Sequence, residues 1–280
     1  MATERALVLG GGGVAGIAWI TGLLTGLADA GQDVTGADLV IGTSAGANVA
    51  AQLGSGLPLA DLFARQVDPA LQSIELLAVI DWEKFAADFA PYLAGASSAA
   101  DQLRGYGRFA LNAQTVPEPQ RRAVIESRLP STDWPATPTK LIAIDCESGE
   151  MAAFDAASGV SLVDAVGASA AVPGVWPPVT IGGRRYMDGG VRSADNADLA
   201  AGAGRVTVIS PLGLNSPLGT GTPLREVLAG LKDGGAAVTL LSPDEAATEA
   251  IGANPLDPAT RVPAATAGRA QGRAGLPAEF

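Results

Sequence analysis

A run of residues without any charge, 6–28, most constrains how this chain can fold. Its hydropathy alone also fits a membrane span or a signal peptide. Five of its first eleven residues are glycine, however, which favours a buried strand at 5–9, a tight loop at 10–13 and a helix at 14–30 that Gly31 closes. We therefore expect a strand, a loop and a helix within a folded domain.

The glycine loop is suited to binding negative charge. Its backbone N–H groups can point toward one position, where the dipole of the following helix also favours an anion. Three ligands fit: a phosphate, the pyrophosphate of a dinucleotide, or the transient oxyanion of acyl transfer. The spacing of Gly11, Gly13 and Gly16 matches a dinucleotide-binding pattern, but the loop alone does not choose among the three.

A second predicted strand, 38–41, leads into Gly42-Thr43-Ser44-Ala45-Gly46 and then a helix of small residues at 47–53. Gly-x-Ser-x-Gly between a strand and a helix is the nucleophile elbow, in which a strained serine is exposed above the sheet. The alternative is a serine that only caps the helix. Because strand, turn and helix agree, we interpret Ser44 as a candidate nucleophile.

Histidine is absent from the chain, and cysteine occurs once, at Cys146. These counts exclude Ser-His-Asp triads, Cys-His pairs, histidine-ligated metals and thiolate zinc sites. Acid–base chemistry must therefore use carboxylates, lysine or tyrosine. We expect neither a metal nor another cofactor.

The net charge of −11 opposes binding to nucleic acid or to an anionic bilayer, and we expect no nucleic-acid role. A single cysteine fits a reducing compartment. No second stretch of the sequence has the apolar length of a membrane span. We expect a cytoplasmic protein, either free or peripheral to membranes, and the sequence predicts no oligomeric state.

Residues 54–138 consist of short helical patterns between prolines and glycines, which we interpret as a helical cap over the sheet. The cap contains an aromatic stripe near helical spacing, expected to pack within the cap, with a lipid-facing lid as the alternative: Trp82, Phe85, Phe89 and Tyr92. Three arginines near its end are expected to form a solvated helix face: Arg121, Arg122 and Arg128.

Strands and helices alternate along the rest of the chain. Strands are predicted at 140–145, 150–154, 179–181, 184–187, 205–209 and 236–241, with helices at 161–171 and 223–231. This order predicts a three-layer α/β fold, with a mostly parallel central sheet and helices on both faces. We expect a single domain over 1–280, ending in a weakly structured tail at 243–280 that holds one or two weak helices.

Asp188 stands directly after a predicted strand and before Gly189 and Gly190. That position places the carboxylate on a loop at an edge of the sheet, where functional residues concentrate. By itself the pattern favours the alternative, a glycine-rich turn that begins with aspartate, which is common.

Taken together, the glycine loop, Gly-x-Ser-x-Gly and Asp-Gly-Gly, in this order and without histidine, resemble the patatin-like phospholipases. The resemblance extends from Ala6 to about Leu199 and includes residues 168–178, similar to that family's small-residue helix and proline-rich turn. It implies an acyl hydrolase of lipid or other esters that works through a Ser-Asp dyad and an acyl-enzyme, without a cofactor.

The resemblance also implies roles for individual residues. Ser44 would be the nucleophile, Asp188 the base, and the backbone of Gly11, Gly12 and Gly13 the oxyanion hole. The matching motif glycines are Gly16, Gly42, Gly46, Gly189 and Gly190. Other candidates for the base are Asp145, Asp155 and Asp195, which lack the strand-Asp-Gly-Gly context. The chain departs from the family at Ala15, where the family usually has a basic residue.

Two other functions remain open at this point. The first is an NAD(P)-binding oxidoreductase that uses Gly11, Gly13 and Gly16, although such an enzyme needs an acidic residue at the end of the second strand, and Asp38 stands at its start. The second is a non-catalytic interaction protein on the same fold, with Ala15 as a sign of lost activity.

Overall fold

A computed structural model describes residues 3–78, 82–216 and 219–276. Within these residues one eight-stranded sheet forms the centre of the fold. Its strands are β1 (Arg5–Leu9), β2 (Leu39–Gly42), β3 (Thr139–Asp145), β4 (Met151–Phe154), β5 (Val179–Ile181), β6 (Arg184–Asp188), β7 (Arg205–Ile209) and β8 (Ala237–Leu241).

The helices lie between and after these strands. They are α1 (Gly13–Asp29), α2 (Ala45–Leu53), α3 (Leu59–Val67), α4 (Trp82–Leu93), α5 (Ala99–Asn112), α6 (Glu118–Arg128), α7 (Leu162–Ser169), α8 (Leu224–Asp233), α9 (Glu245–Ile251) and α10 (Arg261–Arg273). The segment expected to be a cap contains α3, α4, α5 and α6.

The sheet is parallel through its middle and antiparallel at one side. In the order β5-β6-β3-β2-β1-β7-β8, neighbours from β3 to β8 run parallel, whereas β6 is antiparallel to both β3 and β5. β4 is an additional antiparallel partner of β3. The mostly parallel sheet surrounded by helices confirms the predicted α/β fold class.

Alternate side chains of β1 pack into two separate hydrophobic cores. Leu7 and Leu9 join the larger core, which also includes apolar residues of α1, α2, α7 and α10. Ala6 and Val8 join a second core on the other face, together with Leu228 and Leu231 of α8. Because successive side chains of a strand point to opposite faces, one apolar strand is covered by helices on both sides.

Residues 243–276 are more ordered than the sequence indicates. Instead of a weakly structured tail, α10 packs along α1, which is buried from Val14 to Leu27. A Cβ on Gly22 or Gly26 would overlap with the backbone of α10, so glycine allows the two helices this close approach. On α10 the contact face consists mostly of alanine and glycine, and the stripe of large apolar residues that usually marks a buried helix is missing.

Candidate active site

Ser44 occupies the sharp turn between β2 and α2. Its φ of +54° and ψ of −109° are rare for a residue with a side chain, and holding such a conformation costs on the order of 1–3 kcal/mol. The Ser44 N–H donates to Ser169 Oγ at 3.0 Å, which holds the turn against the end of α7. The backbone conformation expected of a nucleophile elbow is therefore present.

The two glycines around Ser44 bring strand and helix together. A Cβ on Gly46 would overlap with the carbonyl oxygen of Leu9, and a Cβ on Gly42 would lie 2.8 Å from the backbone of Ala47. The Gly46 N–H instead donates to the carbonyl of Gly10 at 3.0 Å. The elbow is thus fixed directly to the glycine loop that follows β1.

Asp188, the last residue of β6, lies next to Ser44 from the antiparallel side of the sheet. Gly42 is aligned with Leu141 of β3 and Asp188 with Ala143, so β2 and β6 end at neighbouring positions of β3. The Asp188 carboxylate accepts the N–H of Gly190 at 2.7 Å and interacts with the Ser44 side chain. The sheet therefore brings together the two residues that the sequence motifs single out.

The environment of Asp188 makes it a stronger base than a free aspartate. Its side chain is 4% exposed, and this burial raises its pKa to about 6. The Gly190 N–H, the Ser44 side chain and the charge of Arg121 favour the ionised form and limit the rise. At neutral pH the carboxylate is therefore mostly ionised and still more basic than usual.

The glycine loop has two N–H groups available for an oxyanion. The N–H of Gly10 donates to Ile209 at 2.9 Å, and that of Gly11 to Ala194 at 2.8 Å. Of the described residues, none accepts a hydrogen bond from Gly12 or Gly13. Gly11 is thus already engaged through its N–H, which leaves Gly12 and Gly13, at the start of α1, as the candidate donors.

Two of the three other candidate bases are engaged in contacts of their own. Asp145 accepts the N–H groups of its own turn and pairs with Arg184 at 2.7 Å, and Asp155 caps the turn at Ala157. Asp195 lies against Gly10, where burial raises its pKa to about 7. Asp195 thus contacts the glycine loop near its beginning.

A cavity of about 370 Å³ opens above these groups. Gly12, Gly13, Ser44 and Asp188 line it together with four aromatic residues of α4 and α5: Phe85, Phe89, Tyr106 and Phe109. These rings contact one another, with centroids 4.6 Å apart for Phe89 and Tyr106 and 5.4 Å for Phe85 and Phe109. Of the aromatic stripe, Phe85 and Phe89 thus pack within the cap and line the cavity, and Tyr92 packs on Phe109 within the cap. The side chain of Trp82 lies outside the described residues.

The prediction of a solvated arginine face is wrong for Arg121 and Arg128, which are both buried. α6 packs against α7 and α2, and these two arginines share its buried face with Ile125. Arg128 forms an ion pair with Glu75 at 2.6 Å, and Glu75 also pairs with Arg261 of α10. Only Arg122 lies at the surface, paired with Asp164 and Glu126.

Ala15, the departure from the family pattern, is completely buried, and its N–H donates to the carbonyl of Pro255 at 3.0 Å.

Among the described residues, no three acidic or cysteine side chains are grouped as ligands of a metal ion. Over the same ranges, no helix has both the length and the apolar character required to cross a bilayer.

The sequence profile of the patatin-like phospholipase family matches residues 7–201. The chain belongs to this family. The match includes the glycine loop, Ser44 and Asp188, and it confirms the resemblance that the motifs indicate. Patatin-like phospholipases are lipid acyl hydrolases, so membership supports this general activity.

Solved structures show a distant similarity to this patatin-like chain. VipD from Legionella pneumophila has 15% identity and a TM-score of 0.39, and the similarity covers 74% of the chain and 50% of VipD. The type III effector protein ExoU has 16% identity and a TM-score of 0.36, covering 100% of the chain and 55% of ExoU. The chain thus spans about half the length of each. No curated protein sequence matches it.

Proposed function

We propose that the protein is a serine acyl hydrolase that cleaves carboxylic esters of lipids, with Ser44 as nucleophile and Asp188 as base. The observation that carries the proposal is the strained Ser44 facing the buried Asp188 carboxylate beneath an apolar cavity. The cavity suits an acyl chain, because its walls are mainly aromatic and aliphatic. Family membership supports the same reaction class.

In the proposed mechanism, Asp188 accepts the hydroxyl proton of Ser44 as its Oγ attacks the ester carbonyl carbon. The carbonyl π-bond electrons move to oxygen and form a tetrahedral oxyanion. When this intermediate collapses, the bond to the alcohol oxygen breaks, and the proton on Asp188 passes to the departing alcohol. A water molecule then attacks the acyl-enzyme with Asp188 again as base, which releases the fatty acid and restores Ser44.

The oxyanion would form next to the Gly12 and Gly13 N–H groups at the start of α1. Donors already oriented toward the developing charge need no rearrangement, and each contributes roughly 3 kcal/mol to stabilising the transition state. The positive end of the α1 dipole acts in the same direction. An aspartate base without histidine is thus supported by fixed backbone groups around the reacting carbonyl.

The geometry favours this function over a dinucleotide-binding oxidoreductase. Asp38 accepts the Arg5 N–H at 2.8 Å at the start of β1, whereas the glycine loop follows the opposite end of that strand. Asp38 is therefore far from the position that the ribose of a bound dinucleotide would occupy. The strained Ser44 and the raised pKa of Asp188 favour catalysis over a purely binding role, because strain and shifted pKa values concentrate at active sites.

We also propose that the enzyme acts peripherally at lipid surfaces and is otherwise cytoplasmic. Three apolar side chains between α3 and α4 are exposed, namely Leu71, Ile74 and Leu77, with Ile74 76% exposed. Such side chains favour contact with a lipid surface. Since the net charge of −11 opposes anionic bilayers, zwitterionic or neutral surfaces are the expected sites.

The proposal is tested by ester hydrolysis with purified protein and a panel of monoacylglycerols, lysophospholipids and phospholipids. The wild type is expected to release fatty acid, and Ser44→Ala to lose at least about 10⁴-fold in kcat. Ser158→Ala, which removes an exposed turn hydroxyl, serves as the control and is expected to retain wild-type activity. A lack of hydrolysis by the wild type, or equal rates for Ser44→Ala, would contradict the proposed function.

The pH dependence of hydrolysis reports the state of the proposed base. Because Asp188 must be ionised and burial raises its pKa to about 6, kcat/KM is expected to rise about tenfold per pH unit below pH 6 and to level off above pH 7. Asp195, whose pKa is raised to about 7, would give a similar pH profile if it were the base. A rise that disappears in Asp195→Asn would contradict the assignment to Asp188.

A further inference from the structure

Arg121 lies beside the proposed active site and forms no ion pair within the described residues. It is 6% exposed, and its guanidinium carbon is 3.9 Å from the centre of the Trp176 ring. Together with Ser44, Asn48 and Arg128 it lines a narrow cleft, which shares Gly13 and Ser44 with the larger cavity. The guanidinium is thus close to any ester that reaches Ser44.

The N–H groups of Arg121 lack the partners that burial demands. Neither Nε nor Nη1 has a hydrogen-bond acceptor among the described residues, and no ion pair of Arg121 is found there. Trp176 stacks on the face of the guanidinium and leaves its N–H edges unused. Buried polar groups are almost always paired, and an unpaired one is costly, so an acceptor from outside the chain is indicated.

The charges around the cleft indicate which kind of acceptor. Arg128 and Arg261 are also buried, and both pair with the single carboxylate of Glu75. Burial and the nearby charge of Arg128 lower the pKa of Arg121 to about 9, although Glu75 and Asp188 attract it. Arg121 keeps its charge at neutral pH, so the cluster has an excess of buried positive charge that an anion would balance.

The size of the cleft limits what can enter it. Its free volume is about 20 Å³, which is room for roughly one water molecule. A single oxygen atom of a phosphate or carboxylate fits this space, while the rest of the substrate lies in the larger cavity. Guanidinium edges are well matched to such oxygens in geometry and in charge.

We propose that Arg121 is a specificity-determining residue that binds an anionic oxygen carried by the alcohol side of the ester substrate. This inference rests on the proposed function, since it assigns the part of the substrate that lies next to Ser44. The anionic oxygen belongs to a phosphate or to a carboxylate, and Arg121 binds it through the edge of its guanidinium that lines the cleft.

Kinetics with three matched esters test the proposal: octanoyl esters of glycerol, of glycerol phosphate and of glycerate, each below its critical micelle concentration. The wild type is expected to have a kcat/KM at least about tenfold higher for one anionic ester than for the neutral ester, and the two anionic esters distinguish phosphate from carboxylate. Arg121→Gln is expected to lower kcat/KM for the preferred anionic ester about 30-fold, mainly through KM, and at least tenfold more than for the neutral ester.

Two further variants separate charge from folding. Arg121→Lys keeps the charge and is expected to retain part of the preference for the anionic ester. Arg122→Gln changes the neighbouring surface arginine and is expected to leave both rates unchanged. An equal loss for neutral and anionic esters in Arg121→Gln, or no preference in the wild type, would overturn the proposal while leaving the hydrolase intact.

Binding without turnover distinguishes this proposal from the proposed function. Octanoyl glycerol phosphate and octanoyl glycerate, titrated into Ser44→Ala by calorimetry, measure the subsite in a protein that cannot form the acyl-enzyme. One of them is expected to bind at least about tenfold more weakly when Arg121→Gln is added. Unchanged affinity for both overturns the role of Arg121 whatever hydrolysis shows, whereas binding without hydrolysis by the wild type contradicts the proposed function alone.

Discussion

Asp188→Asn is expected to lower kcat for ester hydrolysis by about 10³-fold or more while the fold stays intact. Asparagine has the same shape and can still accept the Gly190 N–H through its carbonyl oxygen, but it cannot take the proton of Ser44. The loss is therefore chemical and appears in kcat. Steady-state kinetics with a short-chain ester, where lipid packing plays no part, measure it.

The same substitution is expected to raise the melting temperature above pH 7. Because burial raises the pKa of Asp188 above its value in the unfolded chain, the stability that this group contributes is present at low pH and is lost as pH rises through about 6. Asparagine carries no charge and avoids this loss. Asp155→Asn, at an exposed turn, is the control and is expected to retain full activity. Hydrolysis by Asp188→Asn within tenfold of the wild type would refute the dyad.

Glu75→Gln is expected to destabilise the protein by about 3–5 kcal/mol, which corresponds to a fall in melting temperature of about 10 °C. The Glu75 carboxylate accepts hydrogen bonds from Arg128 Nε at 2.9 Å and from Arg128 Nη2 at 2.6 Å, and it also pairs with Arg261. All three side chains are buried. Glutamine removes the charge and leaves two buried guanidiniums without a counter-ion. Thermal or urea unfolding measures the change.

The chain offers a matched control on its surface. Asp29 likewise bridges two arginines, Arg269 and Arg273, but these groups are partly exposed to solvent. Asp29→Asn is expected to change the melting temperature little, since water screens such pairs. Burial alone would raise the pKa of Glu75, yet the attraction of Arg128 and Arg261 outweighs it and the pKa is lowered. The contribution of Glu75 is therefore present at neutral pH and lost in acid. Equal effects of the two substitutions would contradict this account of the cluster.

The central part of the fold could be predicted because its signals are local. The apolar residues before Gly10 predict a buried strand. The glycines that surround Ser44 predict a sharp turn, because a side chain at Gly42 or Gly46 would overlap with neighbouring backbone. The order of strands and helices then predicts the parallel sheet. Asp188 was harder to place, because its position depends on the pairing of β6 with β3, which lies far away in sequence.

The buried arginines were not predicted because a run of charged residues usually lies at the surface. A usable signal was present: Arg121, Ile125 and Arg128 are spaced four and three residues apart, which places both arginines on the face of an apolar residue. Glu75, which pairs with Arg128, lies on a loop whose position no local pattern predicts.

The packing of α10 was missed for a different reason. Its contact face consists largely of glycine and alanine, so it has no apolar stripe of the usual kind. The repeat of Gly268 and Gly272, with the same spacing as Gly22 and Gly26 in α1, is the signal that could have indicated the close helix pair.

The identity of the nucleophile is tested most directly by covalent labelling with a fluorophosphonate probe, followed by mass spectrometry of the labelled peptide. The wild type is expected to carry one adduct on Ser44, because the probe traps an activated serine beside oxyanion donors. Ser44→Ala is expected to remain unlabelled, and Asp188→Asn to label far more slowly. An unlabelled wild type, or an adduct on any serine other than Ser44, would contradict the account.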